Sequence, residues 1–259
     1  MRLFCTEETK RLEFIVHLEE IRRRILFVIC ALICFTVVSF WQVDHIMMFV
    51  KEPIRNYVTE LIFIGPTESF SSYIKLALLC GAIFTFPFLL HQLGAFVLPA
   101  FKRDAKRRLF LWLFLGAVLF YVGLMFSYFI AIPAALDFLL NFKSEFVTAR
   151  ITLGKYVSFF GTLIFVGGVI FEIPVIAAVL TDAGIVNACM LRAQRKYAVL
   201  LIAIFSAVIT PTQDVFNMLL FAVPMVVLYE ISIFIAKAIE KSKFSKNVFI
   251  SSPSDENLD

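Results

Sequence analysis

Two acidic residues stand out for the company they keep. Glu172 lies in Phe-Glu-Ile-Pro near the middle of an apolar run, and Glu20 precedes three consecutive arginines, Arg22, Arg23 and Arg24. If the run around Glu172 spans a bilayer, a bare charge there costs at least about 2.5–3.5 kcal/mol on insertion scales. Glu172 is therefore expected to face a polar, water-accessible flank, to meet a partner, or to carry a proton. Its structural alternative is a neutral Glu hydrogen-bonded to a neighbouring helix. Glu19 and Glu20 offer carboxylates that an arginine fork can grip through two hydrogen bonds. The plainer reading pairs them at i, i+3 or i+4 with the following arginines on a helix lying against anionic lipid. Lys75 sits seven residues after Glu68, about two helical turns, so it either pairs with Glu68 or snorkels outward. Glu230, late in the last apolar run, is near enough to an end to reach the interface.

Other chemistries find no support. The cysteines form no CxxC pair, and no Cys/His cluster occurs. Neither a metal nor any other cofactor is expected. No nucleophile–base constellation suggests an enzyme. No nucleic-acid partner is expected.

The elements that must position these residues are helices in lipid. The chain has 259 residues, of which 61% are hydrophobic and 17% charged, with 31 Phe, and its mean hydropathy is +0.89. A soluble domain is nearer half apolar and a quarter charged. Six apolar runs can be drawn: Ile25–Val43, Phe70–Val97, Leu109–Ile132, Val157–Thr181, Tyr197–Ile209 and Val215–Ala236. The fifth rises only about 20 Å, against about 30 Å of hydrocarbon. Pro224 interrupts the sixth and Glu230 shortens its apolar part, so the last two spans are expected to be short. Pro174, two residues after Glu172, should bend the fourth. The first run follows a long basic arm without a small-x-small cleavage pattern, so it reads as a retained span.

Lys and Arg set the orientation. Eighteen of the 24 lie in the N-terminal arm, the second-to-third and fourth-to-fifth loops and the C-terminal tail, while five lie in the alternate loops. Both ends are expected in the cytoplasm. The fold class is thus all-α, a polytopic protein with six transmembrane helices. It divides into a cytoplasmic arm at 1–16, a membrane domain at 17–237 and a polar tail at 238–259, expected to be disordered.

Several segments, in this order, resemble the TatC family, the receptor subunit of the twin-arginine protein translocase. They are HLEEIRRR at His17–Arg24, PTESF at Pro66–Phe70 followed by Lys75, and Phe86–Arg108 with Pro87, Gln92, Phe96 and Pro99. FFGTLIFVGGVIFEIPV at Phe159–Val175, ITPTQDVF at Ile209–Phe216 and PMVVLYE at Pro224–Glu230 complete the set. Two positions depart from the family pattern. Gly94 stands where Trp is usual, and Ala105 stands where the loop acid is usual, with Asp104 one place earlier.

The resemblance implies a translocase subunit in the bacterial cytoplasmic membrane. It would bind twin-arginine signal peptides of folded cargo through Glu20, Phe96 and Asp104, with Glu19 and Arg22 beside them. It would assemble with TatA-type and TatB-type single-span proteins and with other copies of itself in the lipid bilayer, driven by the proton motive force. Glu172, Lys75, Glu68 and Glu230 would be its intramembrane polar residues. Thr210, Pro211 and Asp214 would form the loop between the last two helices. The competing reading is a proton-coupled secondary transporter with Glu172 as carrier; the sequence shows no internal repeat of the kind many such transporters carry.

Overall fold

The computed structural model describes the backbone at 2–55, 57–58, 60–97, 103–141, 150–210 and 214–251, and side chains within 19–55, 57–58, 60–96, 107–140, 150–210 and 214–242. Ten α-helices follow one another among these residues. They are α1 (Arg2–Trp41), α2 (Val43–Lys51), α3 (Pro66–Val97), α4 (Arg103–Phe126), α5 (Ile132–Asn141), α6 (Leu153–Ile170), α7 (Ile173–Ala183), α8 (Ala188–Ala193), α9 (Arg195–Ile209) and α10 (Val215–Ser251). The six expected spans correspond to α1, α3, α4 with α5, α6 with α7, α9, and α10. Five of these are long and apolar enough to cross a bilayer. The exception is α9, whose 15 residues rise about 22 Å. In α10 the apolar stretch ahead of Glu230 runs only from Val215 to Tyr229.

Local sequence explains where the helices bend and stop. Pro174 falls in the first turn of α7, and its missing N–H leaves Ile170 without the usual helical donor. The fourth span accordingly breaks at Phe171–Glu172, as expected. The third span runs past Ile132. A five-residue π turn, Ser127–Ala131, carries α4 into α5, just ahead of Pro133, which cannot donate to Phe129. Gly184, at φ 78°, ends α7 in the left-handed conformation.

The expected domain boundaries do not coincide with helix ends. No Gly or Pro interrupts Arg2–Trp41, so the backbone of the arm from Arg2 onward is continuous with the first span. Nothing stops α10 at 237 either. It continues to Ser251 ahead of Pro253, so the stretch expected to be disordered begins as helix. Residues 252–259 lie outside the described ones.

The fourth span is the centre of the bundle. In its most apolar window 50% of residues are buried, against 6% in the first span. It packs on α4 through small residues. A Cβ on Gly123 would stand 2.5 Å from the Gly167 carbonyl, and one on Gly168 would stand 2.6 Å from the Phe120 ring. Such close approach lets van der Waals contact replace the hydrophobic drive that lipid cannot supply. The first span leans on α3, where Gly81 admits Thr36.

Candidate functional site

The inner mouth lies where α1 and α3 meet. Heptad-like spacing puts Glu20 and Arg24 one turn apart on the same face of α1. The Arg24 guanidinium donates from Nε to Glu20 at 3.1 Å and forms an ion pair with it. It also donates to the Gln92 side chain at 3.1 Å and to the Ala95 carbonyl at 3.3 Å. Both Glu20 and Arg24 keep part of their side chains exposed, 37% and 24%. Beside them runs an apolar groove of about 320 Å³ lined by Ile21, Val28, Leu89, Leu93 and Phe96. Glu19 and Arg22 are exposed on other sides of α1. Asp104 is on the first turn of α4, but its side chain lies outside the described residues. The structure therefore brings together Glu20 and Phe96 from the expected binding set, and adds Arg24 and Gln92.

Gly94 explains its own departure. It is buried, and a Cβ there would lie 2.0 Å from Leu113 of α4. Leu113 occupies the space that a larger side chain would need.

Glu172 caps the break in the fourth span through its backbone, accepting from Val175 at 3.0 Å and Ile176 at 2.9 Å. Its side chain is buried, 5% exposed, against Gly116 of α4, whose Cβ would come within 2.9 Å of Oε2. Oε1 has no hydrogen-bond partner among the described residues. Among the described residues Glu172 faces no water-accessible flank, contrary to expectation: Gly116 of α4 and Val175 of α7 pack beside it.

The outer side is organised by Glu68. Its carboxylate accepts from the Ile64 and Gly154 amides, both at 2.9 Å. A bridge between Ile62 and Thr152 joins the same two loops, with Leu153 N donating to Ile62 O at 2.8 Å. Lys75 donates to Ser158 at 3.3 Å instead of reaching Glu68.

At the opposite end, Arg195 and Glu230 pair at 2.6 Å, joining the start of α9 to α10. Glu240 of α10 accepts from the Ala188 amide at 2.8 Å. Thr210 is buried and donates to Ser206 O at 2.9 Å. Asp214 caps α10, accepting from the Asn217 amide at 2.7 Å. Pro211 lies outside the described residues. An ion pair between Arg108 and Asp182, at 3.2 Å, ties α4 to α7. No sequence signal short of the fold could have matched those two residues, 74 positions apart.

Six helical spans with basic residues concentrated in the N-terminal arm, two alternate loops and the C-terminal stretch define a polytopic membrane protein. A sequence profile described as "Sec-independent protein translocase protein (TatC)" matches residues 16–224, and the chain belongs to the TatC family. It is 34% identical to the Sec-independent protein translocase protein TatC of Carboxydothermus hydrogenoformans, over 92% of this chain and 98% of that one. It is 36% identical to that of Aquifex aeolicus, over 88% and 95%. Its fold is similar to a crystal structure of the twin-arginine translocase receptor TatC, with a TM-score of 0.77 and 34% identity, covering 86% of this chain and 99% of that one. The function is that of a Sec-independent translocase component, not of an enzyme.

Proposed function

We propose that this chain is the signal receptor of its translocase, and that the inner mouth grips the arginine pair of a twin-arginine signal peptide. One observation carries this reading: the partly exposed Glu20 carboxylate is paired with Arg24, and Arg24 lines an apolar groove with Phe96 in its wall. A signal peptide joins an arginine pair to apolar residues, and the site offers an acid and an apolar trough in the same order. An incoming guanidinium can join Arg24 on the Glu20 carboxylate, while Arg24 holds Oε1 and keeps Gln92 and the Ala95 carbonyl. A Lys ammonium is a point charge and cannot copy the planar fork. Asp104, on the facing start of α4, would supply a second acid. The receptor works in the bacterial cytoplasmic membrane as the unit 17–237. It assembles with TatA-type and TatB-type partners and with its own copies, and the proton motive force drives transport.

The test is binding of an Arg-Arg signal peptide and its Lys-Lys twin to the purified protein in lipid nanodiscs. A charge-assisted pair contributes about 1.5–3 kcal/mol, so Glu20→Ala should weaken the Arg-Arg peptide about tenfold to a hundredfold. Asp104→Ala should weaken it less. Equal binding of both peptides, or normal binding by both variants, would overturn the reading.

A further inference from the structure

We propose that the outer ends of α3 and α6 form a binding site for one anionic phospholipid of the outer leaflet, held by its phosphate. A cavity of about 880 Å³ opens there, and its lining includes Lys75, Lys155, Thr152, Ser158, Thr162 and Glu68. Lys155, Ser158 and Thr162 follow one another at i, i+3 and i+7, so they share one face of α6. Lys75 approaches that face from α3 and already donates to the Ser158 hydroxyl at 3.3 Å. The carboxylate in the wall offsets one of the two cations and leaves one net positive charge. Both Glu68 oxygens accept backbone amides, from Ile64 and Gly154, which fixes their lone pairs toward the loops. Thr162 already donates to Ser158 O at 2.9 Å and Thr152 to Glu68, so what remains is two ammonium groups and the Ser158 hydroxyl, a donor set suited to a phosphate.

A second groove makes the ligand a lipid. It has a volume of about 460 Å³, shares Lys75, Ser158 and Thr162 with the first, and is lined by Leu78, Ala82, Gly161 and Phe165. These residues lie inward of Lys75 on α3 and of Ser158 on α6, toward the middle of the membrane. The polar head and the apolar trough are therefore continuous, with the head at the outer end of the span. Lys75 is a long cation within an otherwise apolar stretch, and here it has an anion to meet at headgroup depth. The polar side of the trough is confined to its outer end, as a lipid requires.

Native mass spectrometry of the purified chain with phosphatidylglycerol or phosphatidylethanolamine tests the site. Phosphatidylglycerol should be held about fivefold more tightly, given one net positive charge at a membrane surface. Lys75→Gln with Lys155→Gln should remove that preference, whereas Lys51→Gln with Arg55→Gln, the same charge lost elsewhere on the outer side, should keep it. An excess of glycerol 3-phosphate should not displace the lipid, and displacement would reduce the site to a phosphate pocket without a lipid role. A photoreactive residue at position 161 should form lipid adducts in native membranes. Crosslinks to a protein partner with no lipid adduct, or an unchanged lipid preference in the Lys75/Lys155 variant, would overturn the proposal.

Discussion

The outer side and the inner mouth hold themselves together in different ways. On the outer side, side chains bind backbone across long sequence distances. Glu68 takes the Gly154 amide, the Tyr156 hydroxyl donates to Val50 O at 2.6 Å, and the Tyr128 hydroxyl donates to Phe49 O at 3.1 Å. At the inner mouth, Arg24 meets Glu20 and Gln92 side chain to side chain and reaches the backbone only through a 3.3 Å bond to Ala95 O, with part of each ion partner in contact with the surroundings. A backbone amide or carbonyl has no second rotamer to offer, so the described segments that these bonds join are fixed in place. A partly exposed ion pair exchanges partners at small net cost, because such pairs contribute about 0–1 kcal/mol. Recognition belongs where bonds are exchangeable, on a scaffold locked at the other end.

The largest expected effect comes from α9, which links the two sides. Arg195 ties its inner end to α10, and Thr210 closes its outer end ahead of the Asp214 cap. Inserting one helical turn of Leu and Ala near Ile204 adds about 5.4 Å and must break one of these ends. The chain should still insert, as cysteine labelling near Gln194 and Lys246 would show, while cargo export falls close to background. Full export with the longer helix would show that its shortness is incidental.

Tyr156→Phe comes next. Tyr156 is 2% exposed, and losing its hydroxyl leaves the Val50 carbonyl without that donor. Destabilisation of about 1–3 kcal/mol is expected, read as thermal unfolding in detergent. Gln92→Ala at the inner mouth should cost less than half as much. If the two losses are equal, the contrast between a locked and an exchangeable side does not hold.

Arg24→Gln should affect binding more than stability. The guanidinium holds Glu20 at the mouth and is itself anchored on α3. Its loss should weaken the Arg-Arg peptide about threefold to tenfold, the range of one modest hydrogen bond, with thermal unfolding little changed. Tighter binding would mean that Arg24 masks Glu20 more than it positions it.

How much of this was readable in advance depended on whether the signal was local. The break at Glu172 was legible because Pro174 is its own cause. The short α9 was legible because Lys196 and Pro211 bracket an apolar run. The helix α2 was missed: its buried Val43, Met47 and Val50 alternate with Asp44, His45 and Lys51, which read as loop. The Glu68 clasp was missed for another reason. The i, i+7 spacing to Lys75 suggested a partner along the helix, whereas the groups it holds include an amide 86 residues away. Backbone partners carry no residue identity, so no pattern of side chains announces them.

The smallest effect is expected at Glu172. It is buried against Gly116, and its Oε1 has no hydrogen-bond partner among the described residues. An ionised carboxylate without a counter-charge in such a place costs several kcal/mol, so the resting chain is expected to hold it neutral. Glutamine has nearly the same volume and keeps a carbonyl oxygen, so Glu172→Gln should change stability by less than about 1 kcal/mol. It should leave cargo export within about twofold if only hydrogen bonding is used. Glu172→Leu separates structure from function. It removes both polar atoms while filling the space, and insertion should remain normal because an apolar residue is favoured in a span. Lost export from an inserted Leu variant would show that a polar group at this break serves transport after a signal or partner helix opens the contact with α4. Normal export by the Leu variant would leave Glu172 without a transport role. A large export defect in the Gln variant, with unfolding unchanged, would instead show that the carboxylate must ionise during the cycle, and the exchangeable region would then extend from the inner mouth to the middle of the membrane.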